Sequence, residues 1–569
     1  MASKKKITLK DESLLNWKII LLLMLSFIAF FPTLKNDFVN WDDIVYIMNN
    51  DMITTFSWNN LGRIFSTYFM GNYHPFIILS FAFDYHLFIL SPHGYHFHNL
   101  LLHVLNSFLV YTFFFHLLKK NVNTAVTIAL LFAIHPMHVE SVAWVSERKD
   151  VLYTAYFFLS LISYLLYLRK GKTSFFLLTL LFFVFSLLSK AQAVTLPLVL
   201  FLVDYFLSRK FEWKIVLEKI PFLILSVIFG IVAVYAQKAN SFINPSGIPL
   251  FESLFYAPYG ICVYLAKFLF PCYQTAFYIY PLTLQGAVPF YIFFSPVIFI
   301  ALALVIWKTW KNDQDKYVTF GLLFFLTTIF PVLQFLPVGP ALIAERYTYI
   351  PYIGLAAIIA IFFWKKRPAL TVQGKRILDA ASALLIVVLF LLTWNRNLVW
   401  KDSVSLWTDV IEKSPRCIPA RINRAFIYNE NKQYEEALGD LTEGARLDST
   451  DFTFYKNKGI IYDHIGKYDL ALANYSKALK YNNEEYKCHL LRGILYTDKF
   501  ARYDSGIADF KKYLTHSPND PDANFNLGVA NYKKGNYDSA RACCLKVLKL
   551  DHDNAQAQQL IKNIDLVKP

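Results

Sequence analysis

Two carboxylates, Asp42 and Asp43, sit side by side after Asn40 and Trp41, just past a long apolar run. Adjacent like charges repel and push one pKa upward, which is how a carboxylate becomes a base poised to take a proton. Alone, the pair reads equally well as a solvated acidic turn at a helix start. Other ionisable residues recur at the ends of apolar runs, where charge is costly and usually functional. They are His135, His138, Glu140, Arg148 and Asp150 in HPMHVESVAWVSERKD (135–150), Lys190 after the run 173–189, and the adjacent Glu345 and Arg346. A carboxylate removes the proton of an attacking hydroxyl. Lys and Arg stabilise a departing phosphate as its charge grows. Acids and cations on one membrane face therefore suit transfer of a group from a phosphate-bearing donor to a hydroxyl.

Each feature has a plainer explanation. His135-Pro136 serves as a helix stop, Glu345 and Arg346 as a structural ion pair, and Lys190 as a snorkelling lysine. His135 and His138 are three apart, but Pro136 breaks the helix that would align them, so no metal site is read there. Whether a divalent ion joins the acids is left open.

The elements that position these residues are mostly membrane spans. The chain has 569 residues, 56% of them hydrophobic and only 17% charged, with 53 Phe and 36 Tyr. This is the profile of a polytopic membrane protein with a polar appendage. The net charge of +15 is concentrated in short runs: Lys4, Lys5 and Lys6; Lys119 and Lys120; Arg169 and Lys170; and Lys365, Lys366 and Arg367. Such loops are the positive-inside signature, and no nucleic-acid partner is read from them. Six cysteines contain no C-x-x-C pair, which argues against zinc or a dithiol site.

Residues 17–34 form the first span, an uncleaved anchor with its N-terminus inside, and 35–95 an external, partly interfacial loop. Spans follow at 96–118, 122–134, 151–168, 173–189, 193–207, 215–236, 289–307, 317–336, 345–364 and 377–394. Residues 254–271 are read as re-entrant, because a crossing there would put the basic 365–367 run outside. The total of about eleven crossings places the C-terminal third on the same side as Asp42 and Asp43.

After Trp400 the chain turns polar and repetitive. Ala437, Ala471, Gly506 and Ala540 fall 34, 35 and 34 residues apart, each preceded three positions earlier by Tyr434, Tyr468, Tyr503 or Tyr537. That is the tetratricopeptide period. The units are 418–451, 452–485, 486–520 and 521–554, with a half repeat at 403–415 before them and a capping helix at 555–567. The fold class expected is all-α: a membrane-embedded helical domain over 1–399, then a repeat solenoid over 400–569.

The WDD sequence after the first span, HPMHVESVAWVSERKDVL (135–152), SKAQAVTLPLVLFLVD (189–204) and AERYTYIP (344–351), followed by these repeats, resemble the transmembrane and TPR-containing O-mannosyltransferases and their bacterial relatives. That family lies in the membrane-embedded GT-C superfamily. The resemblance implies a polyprenyl-phosphate-linked sugar as donor and catalysis on the non-cytoplasmic face, with inversion. It implies Asp42 or Asp43 as the catalytic base, with His135, His138, Glu140, Arg148, Lys190, Glu345 and Arg346 lining the donor-phosphate cavity. Relatives often carry an acid soon after the lysine of the 189–204 block, where this chain has Ala191 and Gln192. The expected function is transfer of a mannose-like hexose to Ser/Thr hydroxyls of exported proteins. Membrane lipids, the lipid-linked sugar and an acceptor protein held by the repeats' concave face are its partners. The expected location is a bacterial inner membrane with periplasmic repeats, or the ER membrane with luminal repeats in a eukaryote. The competing readings are a repeat scaffold without transfer, and a cell-envelope polysaccharide assembly protein.

Overall fold

The computed structural model describes residues 16–239, 249–282, 287–335, 339 and 341–567. The basic run at Lys4, Lys5 and Lys6 and part of the 272–288 segment lie outside them. The chain forms two compact units, residues 1–414 and 415–569. Among the described residues there is no strand, only isolated bridges at Phe69 with Asn72 and Tyr278 with Ile343.

The first unit contains α1 (Trp17–Ala29), α2 (Trp58–Ser66), α3 (Pro75–Phe88), α4 (Pro92–Leu117), α5 (Val122–Ala133), α6 (Val139–Ala143), α7 (Arg148–Lys170) and α8 (Thr173–Leu187). It continues with α9 (Leu196–Phe206), α10 (Trp213–Ala239), α11 (Leu250–Leu269), α12 (Val297–Trp310), α13 (Lys316–Ile329), α14 (Pro351–Lys366), α15 (Val372–Val399) and α16 (Ser403–Lys413). Among the described residues five helical stretches are long and apolar enough to cross a membrane: Pro92–Leu117, Val145–Lys170, Trp213–Ala239, Phe290–Trp310 and Val372–Val399. A sixth is the pair Val122–Ala133 and Pro136–Ala143, bent by 57° at the break that His135-Pro136 imposes. Shorter apolar helices include α1, α3 and α8. α11 is one 20-residue helix with Pro258 inside it.

Sequence sets the joints. Asn16 and Asn121 cap α1 and α5 by accepting from backbone N–H groups of the first turn. Pro75, Pro92 and Pro351 stand at helix starts, where a missing N–H costs nothing. α13 and α14 touch backbone to backbone: a Cβ on Gly354 would lie 2.4 Å from the carbonyl oxygen of Gly321.

The second unit is a run of paired antiparallel helices, α17 (Ile418–Glu430) with α18 (Tyr434–Leu447), α19 (Phe452–His464) with α20 (Tyr468–Tyr481), α21 (Tyr486–Asp498) with α22 (Tyr503–His516), and α23 (Pro521–Lys534) with α24 (Tyr537–Leu550), ending in α25 (Ala555–Val567). Each pair falls within one of the repeats read from the sequence. Gly459 shows why: the Tyr475 ring of the paired helix occupies the space a Cβ would need, at 2.5 Å. One assignment differs. α16, the half repeat of 403–415, belongs to the first unit, because its apolar face of Leu406, Trp407 and Val410 is buried there.

Candidate active site

The acid loop is held by segments far away in sequence. The Asp37 amide donates to the Lys401 carbonyl at 2.8 Å, the Asn40 amide to Ser403 Oγ at 2.8 Å, and Trp407 Nε1 to Asn40 Oδ1 at 2.6 Å. Trp41 stacks on Trp144 with centroids 4.3 Å apart and leans on Trp407 at 5.1 Å; Trp144 stacks in turn on Trp400 at 5.8 Å.

Held this way, the two acids part. Asp43 is buried and accepts from the Val39 amide at 3.0 Å, the Ser146 amide at 2.9 Å and the Ser146 hydroxyl. Burial pushes its carboxyl up to about 6, against the pull of those hydrogen bonds. Asp42 turns outward: its side chain is 22% exposed and lies 3.9 Å from Lys149 Nζ. Burial raises its carboxyl as well, with Lys149 acting in the opposite direction. Asp43 therefore anchors the loop, and Asp42 is the carboxylate left able to meet a substrate.

Around Asp42 three cations converge on one acid. Glu147 pairs with Lys149 at 3.2 Å, Lys190 at 3.4 Å and Arg346 Nε at 3.4 Å. Lys190 also binds Asp150 at 2.7 Å, and Asp150 accepts from Ser141 at 2.9 Å. Arg346 grips Glu140 with Nη1, donates its amide to the same carboxylate at 3.1 Å, and lies over the Trp144 ring at 5.4 Å. Lys149 and Lys190 also line a cavity of about 60 Å³, together with Gly71, His74, Phe229, Ala233 and Gln237. A larger cavity of about 460 Å³ lies at the other end of α7, lined by Arg169, Arg209, Lys214 and Glu218, away from the acid pair.

The residues read as lining the site divide into two groups. Asp42, Lys190, Arg346 and Glu140 share the cluster. Arg148 does not join it: its guanidinium binds Asp84, Asn99 Oδ1 at 2.7 Å and the Tyr95 carbonyl at 2.8 Å, and stacks over Phe81. Glu345 points elsewhere, accepting from Tyr278 Oη at 2.8 Å and pairing with Arg396 at 3.3 Å. The two histidines close the bend between α5 and α6. His135 Nδ1 accepts from the Met137 amide at 3.2 Å, and His138 Nδ1 lies 2.8 Å from the Phe132 carbonyl. Among the described residues no three His, Cys, Asp or Glu side chains are grouped so as to hold a metal ion.

Sequence reading missed Glu147, Lys149, Ser146 and His74. Residues 148 and 149 lie about 100° apart on a helix, so only one of two successive cations faces the acids. That alternation was visible in Arg148-Lys149; which of them turns inward was not.

Tetratricopeptide repeat models match residues 453–485 and 500–564. The chain is 25% identical over 472 residues to a Caenorhabditis elegans protein O-mannosyl-transferase, covering 76% of this chain and 62% of that protein. It is 24% identical over 477 residues to human protein O-mannosyl-transferase TMTC1 (73% and 53%) and 23% identical over 436 residues to human protein O-mannosyl-transferase TMTC3 (68% and 46%). The chain spans about half the length of these relatives. Over most of its length the chain is similar to these TMTC proteins, and its C-terminal part carries tetratricopeptide repeats.

Proposed function

We propose that the chain is a membrane glycosyltransferase that moves a mannose-like hexose from a polyprenyl-phosphate donor to Ser or Thr hydroxyls of exported proteins, with inversion. The observation that carries this reading is Asp42, partly open to solvent, beside Lys149 and the point where Lys149, Lys190 and Arg346 converge on Glu147. The relatives' names supply the sugar and the acceptor class.

Asp42 takes the proton of the acceptor hydroxyl as its oxygen bonds to the anomeric carbon. The bond from that carbon to the phosphate oxygen breaks, and its electron pair leaves with the polyprenyl phosphate. The three cations stabilise the charge gathering on that phosphate, and because Glu147 and Asp150 already hold them in place, little reorganisation is needed at the moment of reaction. Attack from the side opposite the phosphate inverts the anomeric centre. Glu140 and the Trp144 face fix the Arg346 fork, and Asp43 fixes the loop. The repeats hold the acceptor on the catalytic side of the membrane, raising its local concentration.

The test is transfer of radiolabelled mannose from decaprenyl-phosphate mannose by the purified full-length protein to a Ser/Thr-rich exported protein. Transfer that Asp42→Asn abolishes supports the reading. Labelling of a glycan with no protein labelled would move the activity to polysaccharide assembly, and no transfer to either acceptor would leave a scaffold.

A further inference from the structure

The proposed reaction occupies one end of α7. The cavity of about 460 Å³ at the other end is lined by four cations, Lys119, Arg169, Arg209 and Lys214, and by one carboxylate, Glu218. That carboxylate is already engaged: Arg209 holds it at 2.9 Å and Tyr167 Oη donates to it at 3.1 Å. Lys119, Arg169 and Lys214 form no ion pair with an acid among the described residues. Three positive charges therefore border one cavity with no counter-charge of their own. We infer that this cavity seats the phosphate headgroup of an anionic membrane phospholipid, a structural lipid distinct from the sugar donor.

A positive-inside loop needs only solvated lysines, with no fixed arrangement among them. Here two guanidinium groups are held in place. Arg169 donates from Nη1 to His116 Nδ1 at 3.0 Å and from Nη2 to the His116 carbonyl, which ties it to the last turn of α4. Because Nδ1 accepts, the His116 ring proton sits on Nε2, a further donor among the lining side chains. Arg209 is tied to Glu218 and, at 3.1 Å, to Asp204. Both forks are thus positioned before a ligand arrives, and the exposed Lys119 and Lys214 add charge on flexible stems.

The surroundings select a lipid over a soluble anion. α4 and α7 are each apolar enough to cross a membrane, and the cavity lies where they end, at Leu117 and Lys170. Between Arg209 and Lys214 the chain exposes Phe211 and Trp213, 74% and 75% accessible, in the manner of the aromatic belt at headgroup depth. Leu168 and Leu207, both partly exposed, line the cavity beside the cations and offer an acyl chain an apolar surface. A basic pocket between spanning helices, on the face that Lys and Arg mark as inner, suits an anionic headgroup. Its volume lies within the range of about 300–1,000 Å³ typical of small-ligand sites, enough for a phosphodiester carrying glycerol.

The test uses the full-length protein in detergent, titrated with phosphatidylglycerol, phosphatidylcholine or inorganic phosphate. Melting temperature and lipid retained in native mass spectrometry are the readouts. Phosphatidylglycerol is expected to stay bound and to raise the melting temperature, and phosphatidylcholine to do neither. Lys119→Gln and Lys214→Gln should each weaken phosphatidylglycerol about fivefold, and the double variant about twenty-fivefold. Without lipid both should melt with the wild type, since neither lysine has an ion pair to lose. Lys311→Gln with Lys366→Gln removes the same charge from exposed lysines outside the cavity and should leave binding unchanged. An equal loss in that control makes the attraction diffuse and overturns the inference. So does a Lys119→Gln/Lys214→Gln protein with wild-type affinity, equal binding of the two lipids, or stabilisation by inorganic phosphate that matches phosphatidylglycerol.

Discussion

Buried charge gathers at both ends of α7, about 34 Å apart for 23 helical residues, in two different designs. At the C-terminal end Tyr164 donates to both oxygens of Asp204 at 2.7 and 2.9 Å, and Asp204 pairs with Lys219 and with Arg209 at 3.1 Å. Arg209 also holds Glu218 at 2.9 Å. Two acids and two cations balance, and Lys219 is fully buried. That network closes on itself and ties α7, α9 and α10 together. At the N-terminal end Asp42, Glu140, Glu147 and Asp150 surround Lys149, Lys190 and Arg346, and Asp42, Lys190 and Arg346 keep 22%, 15% and 17% of their side chains exposed. Both ends satisfy the rule that buried charges be paired. Both ends border a cavity, with Arg209 and Glu218 lining the one at the C-terminal end, but only the N-terminal end leaves a carboxylate, Asp42, more than a fifth exposed beside its cations.

Substitutions that treat the two ends alike would break this comparison. Asp42→Asn should lower transfer by about 10²–10⁴ with the melting temperature unchanged. Equal loss of folding would make Asp42 a structural acid. Lys219→Met should do the reverse, destabilising by about 3–5 kcal/mol because Asp204 loses its buried partner, while the surviving folded protein keeps its specific activity. Loss of activity without loss of stability would mean that the closed network also acts in catalysis. Arg346→Lys keeps the charge but loses the fork that spans Glu140 and Glu147, and about a tenfold fall in transfer is expected. A fully active variant would remove Arg346 from the phosphate-binding set.

Asp43 sharpens the comparison through pH. Its folded-state value, about 6, lies above the ordinary 3.8, so the folded state holds a proton that the unfolded chain releases between those values. Its contribution to stability is fully present below about pH 3.8 and is lost as pH rises through about 6. Melting curves of wild type and Asp43→Asn across that window should show the dependence in the wild type and a flatter profile in the variant. A parallel pair of profiles would rule out Asp43 as the source. The smallest effect is a labelling pattern. Cysteines placed at Trp58 and His464 should react with an impermeant reagent added outside, and one at Lys172 only after permeabilisation. Cys488 is buried and serves poorly as a reporter. Reaction at 172 but not at 464 would undo the sidedness proposed for the repeats.

The sequence by itself determined what is local. The repeats were legible to within a residue or two, since packing within a helical pair depends on a small residue meeting a large one at a regular interval, as Gly459 meets Tyr475. The His135-Pro136 break and most apolar helices were legible for the same reason: proline removes a backbone donor, and a run of apolar residues needs no partner to be recognised. Tertiary structure alone decided what each charged side chain faces. Asp42 and Asp43 are chemically identical neighbours, separated only when Ser146, 103 residues from Asp43, engages one of them. Arg148 turned to Asp84 while Lys149 turned to Glu147; α16 read as the start of a repeat, yet its tryptophan holds Asn40, 367 residues away. Irregular loops carry no period to reveal direction, and charge pairing across such separations is settled by the cheapest way to bury every ion at once, a property of the assembled helices and of no single stretch of chain.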